Sequence, residues 1–199
     1  MIDKVFAILM LLLTWNAVRQ EDLKPGDHIY TYRLHGLYTH HGIYIGEGYV
    51  IHFTRTGVNQ TCLDCFRREG EKLHPLHLYA YGRPLLEYWL TRWGTRTTLP
   101  DTKSSQEVVN NARELHQGNN FGEYDLINNN CEHFASFCRT GVRASAQTAM
   151  VNACEGKIKS VKEWAIKLPQ RIKFSLTWVN KRIHRLSEFT QKFFTAQII

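Results

Sequence analysis

The sequence predicts an α+β domain, and three observations carry that expectation. Aromatic and β-branched runs at 28–33, 40–45 and 49–53 read as strands. Two helices with capping signals follow, beginning near Ser104 and Cys131, and a basic, periodic stretch closes the chain. A short run of strands followed by helices builds a small antiparallel sheet with helices packed on it.

Taken in order, Leu23-Lys24-Pro25-Gly26-Asp27 is a turn that delivers the chain into the first strand, His28-Ile29-Tyr30-Thr31-Tyr32-Arg33. His40 to Ile45 and Tyr49 to Phe53 are the next two strands, joined through Gly46-Glu47-Gly48. If those three residues form the loop with Gly48 left-handed, residue 42 pairs with residue 52. His40 and His52 then share a face as diagonal neighbours about 7–8 Å apart, with Gly42 between them. His41, Ile43, Ile45, Tyr49, Ile51 and Phe53 form the opposite face, which reads as core. A two-residue loop puts the two histidines on opposite faces instead. Gly42 leaves room for a helix to approach the histidine-bearing face closely, which is what a contact between Cys131 on its helix and His40 needs.

From Cys62 to about Arg83 the chain reads as irregular with a short strand, and Pro84 to Trp93 as a short helix. Ser104 and Glu107 make a capping box. Val108, Val109, Ala112 and Leu115 then share one helical face, and Gly118 ends the helix. After Asn128-Asn129-Asn130 a helix runs from about Cys131 to Arg139 and stops at Gly141. Asn129 or Asn130 caps it, and Asn129 with Glu132 would make the cap reciprocal.

Cys131, Phe134, Ala135 and Cys138 fall at i, i+3, i+4 and i+7, the stripe that faces a core. Cys131 therefore sits in the first turn of a helix, where unpaired N–H groups and the positive end of the macrodipole favour a thiolate. The same N–H groups can stabilise an oxyanion. A buried structural cysteine is the competing reading of that residue.

Charge divides the chain. Residues 1–154 hold 15 Lys+Arg against 15 Asp+Glu, whereas residues 155–199 hold 10 against 3, so the net charge of +7 lies in the tail. A neutral body with a basic tail excludes the basic folded face of a nucleic-acid-binding domain. The five cysteines are irregularly spaced and odd in number, which describes no disulfide framework and fits a reducing compartment.

Leu23-Lys24-Pro25-Gly26-Asp27-His28-Ile29, His40-His41-Gly42-Ile43-Tyr44-Ile45-Gly46, Val50-Ile51-His52-Phe53 and Asn130-Cys131-Glu132-His133-Phe134 together resemble the LRAT-domain family. That family comprises lecithin:retinol acyltransferase, the HRAS-like suppressor phospholipase/acyltransferases and a set of plant LRAT-domain proteins. The plant set is the most similar, through His40-His41-Gly42 and Cys62-Leu63-Asp64-Cys65-Phe66. The resemblance spans about residues 23–141 and implies a circularly permuted papain-like or NlpC-type fold, its small antiparallel sheet packed on the nucleophile helix. It assigns Cys131 as nucleophile, His40 as general base and His52 as the residue that orients and polarises the base. It implies two-step acyl transfer from a lipid ester, most naturally a phospholipid, through an acyl-Cys131 intermediate, with no metal or organic cofactor. A cysteine peptidase or amidase on the same fold, and a non-catalytic module that binds membranes or partners, are the rival functions.

Three features lie outside that core. Val5 to Leu13 in the apolar segment 1–20 is the length of a signal-peptide core but lacks a small-residue cleavage site, so targeting and a packed helix both stand. In the tail, 155–199, apolar residues recur at three- and four-residue steps among Lys and Arg, with Trp164, Trp178, Phe189 and Phe194 available. That pattern suits a helix on an anionic membrane surface, broken at Pro169, or a helix packed on the domain 21–143. The expectation for localisation is cytoplasmic with peripheral membrane association. Cys62-x2-Cys65 with His74-x2-His77 has only part of a zinc spacing and reads as unliganded loop residues.

Overall fold

The computed structural model of the 199-residue chain describes residues 16–84 and 95–149, together with positions 152 and 156. The apolar run 5–13, most of the helix expected at 84–93 and nearly all of the basic tail lie outside the described residues. The chain divides into two compact units after Ala146. The first unit is α+β and mostly antiparallel, as the strand and helix order predicts.

Among the described residues its main sheet has six strands. They are β1 (Ala17–Val18), β2 (His28–Arg33), β3 (Tyr38–Gly46), β4 (Tyr49–Thr54), β5 (Gly57–Cys62) and, later in the chain, β8 (Leu76–Leu78). Their spatial order is β1-β8-β2-β3-β4-β5, and every adjacent pair is antiparallel. A two-stranded ribbon, β6 (Arg68–Glu69) with β7 (Lys72–Leu73), sits apart. The described residues of the unit also form three α-helices: α1 (Leu63–Arg67), α2 (Ser105–Gly118) and α3 (Cys131–Thr140).

The sheet has two faces with different partners, because successive side chains point to opposite sides. Ile43, Ile45, Ile51 and Phe53 pack with Val108, Val109 and Ala112 of α2 and with Phe134, Ala135 and Cys138 of α3. Ile29, Tyr44 and Val50 pack on the other side with Leu63 and Phe66 of α1 and with Leu23 and Leu76. The buried Phe134 ring meets Phe121 edge-on at 5.3 Å, the geometry that ring quadrupoles favour.

The β3–β4 turn corrects one expectation. It has two residues, Glu47 at φ 52 and Gly48 at φ 75, both left-handed as a type I′ turn requires. The odd residue comes from a bulge: Tyr44 faces Val50, but Gly46 faces Tyr49, so the register slips between them. Ile43 therefore still faces Ile51, the register that a three-residue loop would have set. The bulge, with Gly46 at φ 97, returns His40 and His52 to one face.

Strand β5 was not legible in the sequence. Gly57-Val58-Asn59-Gln60-Thr61-Cys62 buries only Val58 and pairs as an edge strand through the tight turn after Thr54. Helix α2 is tied to it from below. It runs through Gly118 and ends on left-handed Asn119, whose Oδ1 accepts the Val58 N–H at 3.0 Å. His116 Nδ1 meets the Val58 carbonyl at 2.9 Å. The Ser104–Glu107 capping box forms as the sequence indicates.

Candidate active site

Helix α3 begins at Asn130, whose side-chain oxygen accepts the N–H groups of Glu132 at 2.9 Å and His133 at 3.2 Å. The reciprocal partner is His133, which accepts the Asn130 N–H, so the expected Asn129–Glu132 box is replaced by Asn130–His133. Asn129 instead donates to the Phe121 and Glu123 carbonyls and shapes the preceding loop. Freed from capping, Glu132 turns inward and is wholly buried. Tyr79 and Ser145 donate their hydroxyl protons to it, and Ala146 donates its N–H. Burial works to raise the Glu132 carboxyl, but His41 and these donors hold it below its ordinary range.

Cys131 is 2% exposed, and its sulfur lies 4.0 Å from the Thr39 carbonyl. Its position follows from strand geometry. Tyr44 exchanges hydrogen bonds with Gly26 and Asp27 on the β2 side. The peptide groups of Ile43, His41 and Thr39 therefore point the other way, towards β4. Pairing between β3 and β4 stops at Ile43–Ile51, so the Thr39 carbonyl and His41 N–H face an opening between the strands. The Cys131 sulfur occupies it, with the N–H groups of His41 and Glu132 and the Tyr124 hydroxyl as donors. Burial pushes the thiol up to about 12 despite those donors, so it rests protonated.

On the other face, His40 Nε2 lies 2.7 Å from His52 Nδ1, with the rings edge-on and 4.9 Å apart. The Phe66 ring of α1 packs on both imidazoles, at 5.1 Å and 5.6 Å. Gly42 makes that approach possible: a Cβ there would fall 2.6 Å from Val50 Cγ1 and 3.0 Å from Phe66 Cε2. Burial, then His52 and Arg33, hold His40 well below the ordinary histidine value. Burial and Arg33 bring His52 down to about 4. Both imidazoles are neutral near pH 7. Arg33 itself donates to the Phe66 and Arg67 carbonyls at the end of α1.

Of the three residues singled out by sequence, the structure joins His40 to His52. No hydrogen bond links Cys131 to either one among the described residues. The helix that exploits Gly42 is α1, whereas α3 packs on the opposite face, which corrects the expectation that the nucleophile helix covers the histidines. The sulfur reaches the sheet from the α3 side at the level of Thr39 and His41, immediately beside His40 in β3.

Sequence reasoning missed Tyr124, which touches the thiol across the loop before α3, and the buried pair His28–His41. A cavity of about 540 Å³ opens beside Tyr124, with Arg55 and Glu123 also on its wall. Cys62 and Cys65, expected as unliganded loop residues in a chain whose cysteines describe no disulfide framework, form a disulfide. His74 instead pairs with Glu69 at 2.9 Å, and His77 stacks on Tyr30, so the four residues do not converge. The described residues contain no group of three or more His, Cys, Asp or Glu arranged to hold a metal. No helix among them is long and apolar enough to cross a membrane.

The sequence matches the lecithin retinol acyltransferase family over residues 21–144. It is 32% identical over 163 residues to Protein LEAD-SENSITIVE 1 of Arabidopsis thaliana. The match takes in 64% of this chain and 61% of that protein, so the chain spans about three fifths of its relative's length. The matched region contains both histidines, the cysteine-led helix and the sheet that carries them, and the chain belongs to the LRAT family, whose members are generally acyltransferases.

Proposed function

We propose that the domain is a cysteine-dependent acyltransferase or thiol hydrolase acting on lipid esters, with Cys131 as nucleophile, His40 as base and His52 as its orienting partner. The observation that carries this reading is the hydrogen-bonded imidazole pair beside the strand opening that holds the Cys131 sulfur.

His40 uses Nε2 towards His52, which leaves Nδ1, the nitrogen nearer its own backbone, to serve the thiol. For Nδ1 to accept a proton, neutral His40 carries its proton on Nε2 and donates it to His52 Nδ1. His52 thereby fixes the tautomer and supports the imidazolium that forms, the role of the third member of a triad. Cys131 attacks the ester carbonyl as His40 takes its proton, and the leaving alcohol departs with that proton. The His41 and Glu132 N–H groups and the Tyr124 hydroxyl are the donors available to the oxyanion. An alcohol, an amine or water then attacks the acyl-cysteine, giving up its proton through His40, and free Cys131 returns. No step calls for a metal or an organic cofactor.

The chain order supports a permuted papain-like architecture, since papain-type enzymes place the cysteine before the histidine and this chain does the reverse. The cavity beside Tyr124 has the volume of a small-ligand site, and Arg55 on its wall suits a phosphate-bearing donor. We assign the tail, 155–199, to an anionic membrane surface and the protein to the cytoplasmic side of that membrane, on the charge pattern alone.

Intact-mass measurement after incubation with mixed phospholipids tests the reading. The expected result is one fatty-acyl adduct, on Cys131, absent in Cys131→Ser. Acylation by peptide or amide substrates with none from lipid esters would move the protein to the peptidase class.

A further inference from the structure

We infer that Cys62 and Cys65 form a reversible thiol–disulfide site whose state sets how Phe66 packs on the His40–His52 pair. The inference rests on the proposed activity only where it concerns turnover.

The pair sits at a junction. Strand β5 ends at Cys62 and α1 begins at Leu63, so the bond, with its Cα atoms 5.1 Å apart, staples strand to helix. Cys65 is exposed and Cys62 half-buried, so a thiolate can reach the outer sulfur. Stabilisation by a disulfide grows with the loop it closes, and this one closes only three residues. Its accessibility therefore sets it apart more than its contribution to the fold. In a reducing compartment, exposed disulfides of this kind are transient and redox-sensing.

The connection to the site is direct. Phe66 follows Cys65 and lies against both imidazoles and the bare backbone of Gly42. The far end of α1 is anchored independently, since Arg33 binds the Phe66 and Arg67 carbonyls. At its start, α1 is held by the disulfide, by the Cys62 sulfur accepting the Cys65 N–H, and by the Leu63 N–H on the Gly48 carbonyl. Opening the disulfide removes the one covalent hold on that first turn and leaves only its two hydrogen bonds, while the last turn stays docked, so Phe66 tilts on the imidazoles and the helix does not leave.

The chemistry balances with a dithiol as reductant. One of its thiolates attacks Cys65 Sγ, the S–S bond breaks, and Cys62 leaves as a thiolate that takes a proton. The second thiol of the reductant then displaces Cys65 from the mixed disulfide. Two electrons and two protons pass to the cysteine pair, and the reductant becomes a cyclic disulfide.

The test equilibrates the full chain in buffers of oxidised and reduced dithiothreitol, quenches by alkylation and maps the peptides. Histidine imidazole NMR signals and the acylation rate of Cys131 are read on the same samples. The expected result is that Cys62 and Cys65 gain their alkyl groups together and that the His40 and His52 signals shift in step. Acylation then slows by about tenfold or more on reduction, since misplacing a reacting group by roughly an ångström can cost about a hundredfold. Cys62→Ala/Cys65→Ala should show neither response to the buffer. If the imidazole signals follow the pair but no acyl-Cys131 forms in either state, the redox site stands and the proposed activity falls. A pair that alkylates fully in the oxidised buffer, or that converts without moving the imidazole signals, overturns the inference.

Discussion

Two pairs of histidines face each other through one sheet, and they are used differently. His28 and His41 lie on the α3 side: His28 Nε2 meets His41 Nδ1 at 2.9 Å, Tyr81 takes the other nitrogen of His28, and Thr39 takes that of His41. All four ring nitrogens are committed and both residues are buried. His40 and His52 share a single hydrogen bond, so one nitrogen on each ring is left for other work. Adjacent residues in one strand, His40 and His41, thus differ in bonding because the pleat sends them to opposite faces. A saturated imidazole is a structural cross-link, whereas one with an unused nitrogen can still take up or give a proton.

The sharpest way to break that contrast is substitution within the pair that keeps an unused nitrogen on each ring. His40→Ala should lower acylation of Cys131 by about 10²- to 10⁴-fold, the usual contribution of a positioned base, with the melting temperature nearly unchanged. His52→Ala should cost less, because it orients and does not transfer. Equal losses in single-turnover assays would leave the two roles indistinguishable.

His41→Ala should behave in the opposite way. It strands buried partners on His28 and Thr39 and removes a neighbour of the buried Glu132, which costs roughly 1–3 kcal/mol for an unsatisfied group. Denaturant titration should show that loss, while the molecules that remain folded keep most of their activity. A stable but inactive His41→Ala protein would transfer the base role to the other face.

Acid should affect both pairs. His41 and His52 are depressed to about 4, and burial holds His28 and His40 well below the ordinary histidine value, so below about 6.5 the unfolded chain binds protons that the folded chain refuses. Stability is therefore full above pH 6.5 and falls as the pH drops towards 4. Thermal melts across that window check the sign. Stability that rises on acidification would mean the imidazoles are charged in the fold.

The smallest expected effect on catalysis comes from the tail. Removing residues 155–199 should release the protein from anionic liposomes yet leave turnover of a soluble ester nearly unchanged, each Lys or Arg contributing roughly 1 kcal/mol at such a surface. Aggregation of the truncated chain would instead place the tail on the domain.

Strong local signals were legible in the sequence. The Ser104–Glu107 cap, the three central strands and the stripe led by Cys131 could be read because each depends on residues close in sequence. What could not be read depends on distant partners or on parity. Edge strand β5 has one apolar anchor, Val58, and is held by α2. The bulge at Ile45–Gly46 changes the turn without changing the register. Which helix fills the space above Gly42 was decided by Phe66, 24 residues further along the chain. His41 looked like any core-facing residue because Tyr81, Thr39 and His28, which saturate it and its partner, are brought in by other pairings.

The central claim is that Cys131 is acylated through His40. Single-turnover mass spectrometry with a soluble activated ester tests it most directly, comparing wild type, His40→Ala and Cys131→Ser. The account predicts one acyl group on Cys131 in wild type, a much slower adduct on the same residue in His40→Ala, and none in Cys131→Ser. Acylation of His40→Ala at the wild-type rate, or an adduct on Cys138 in place of Cys131, would contradict it.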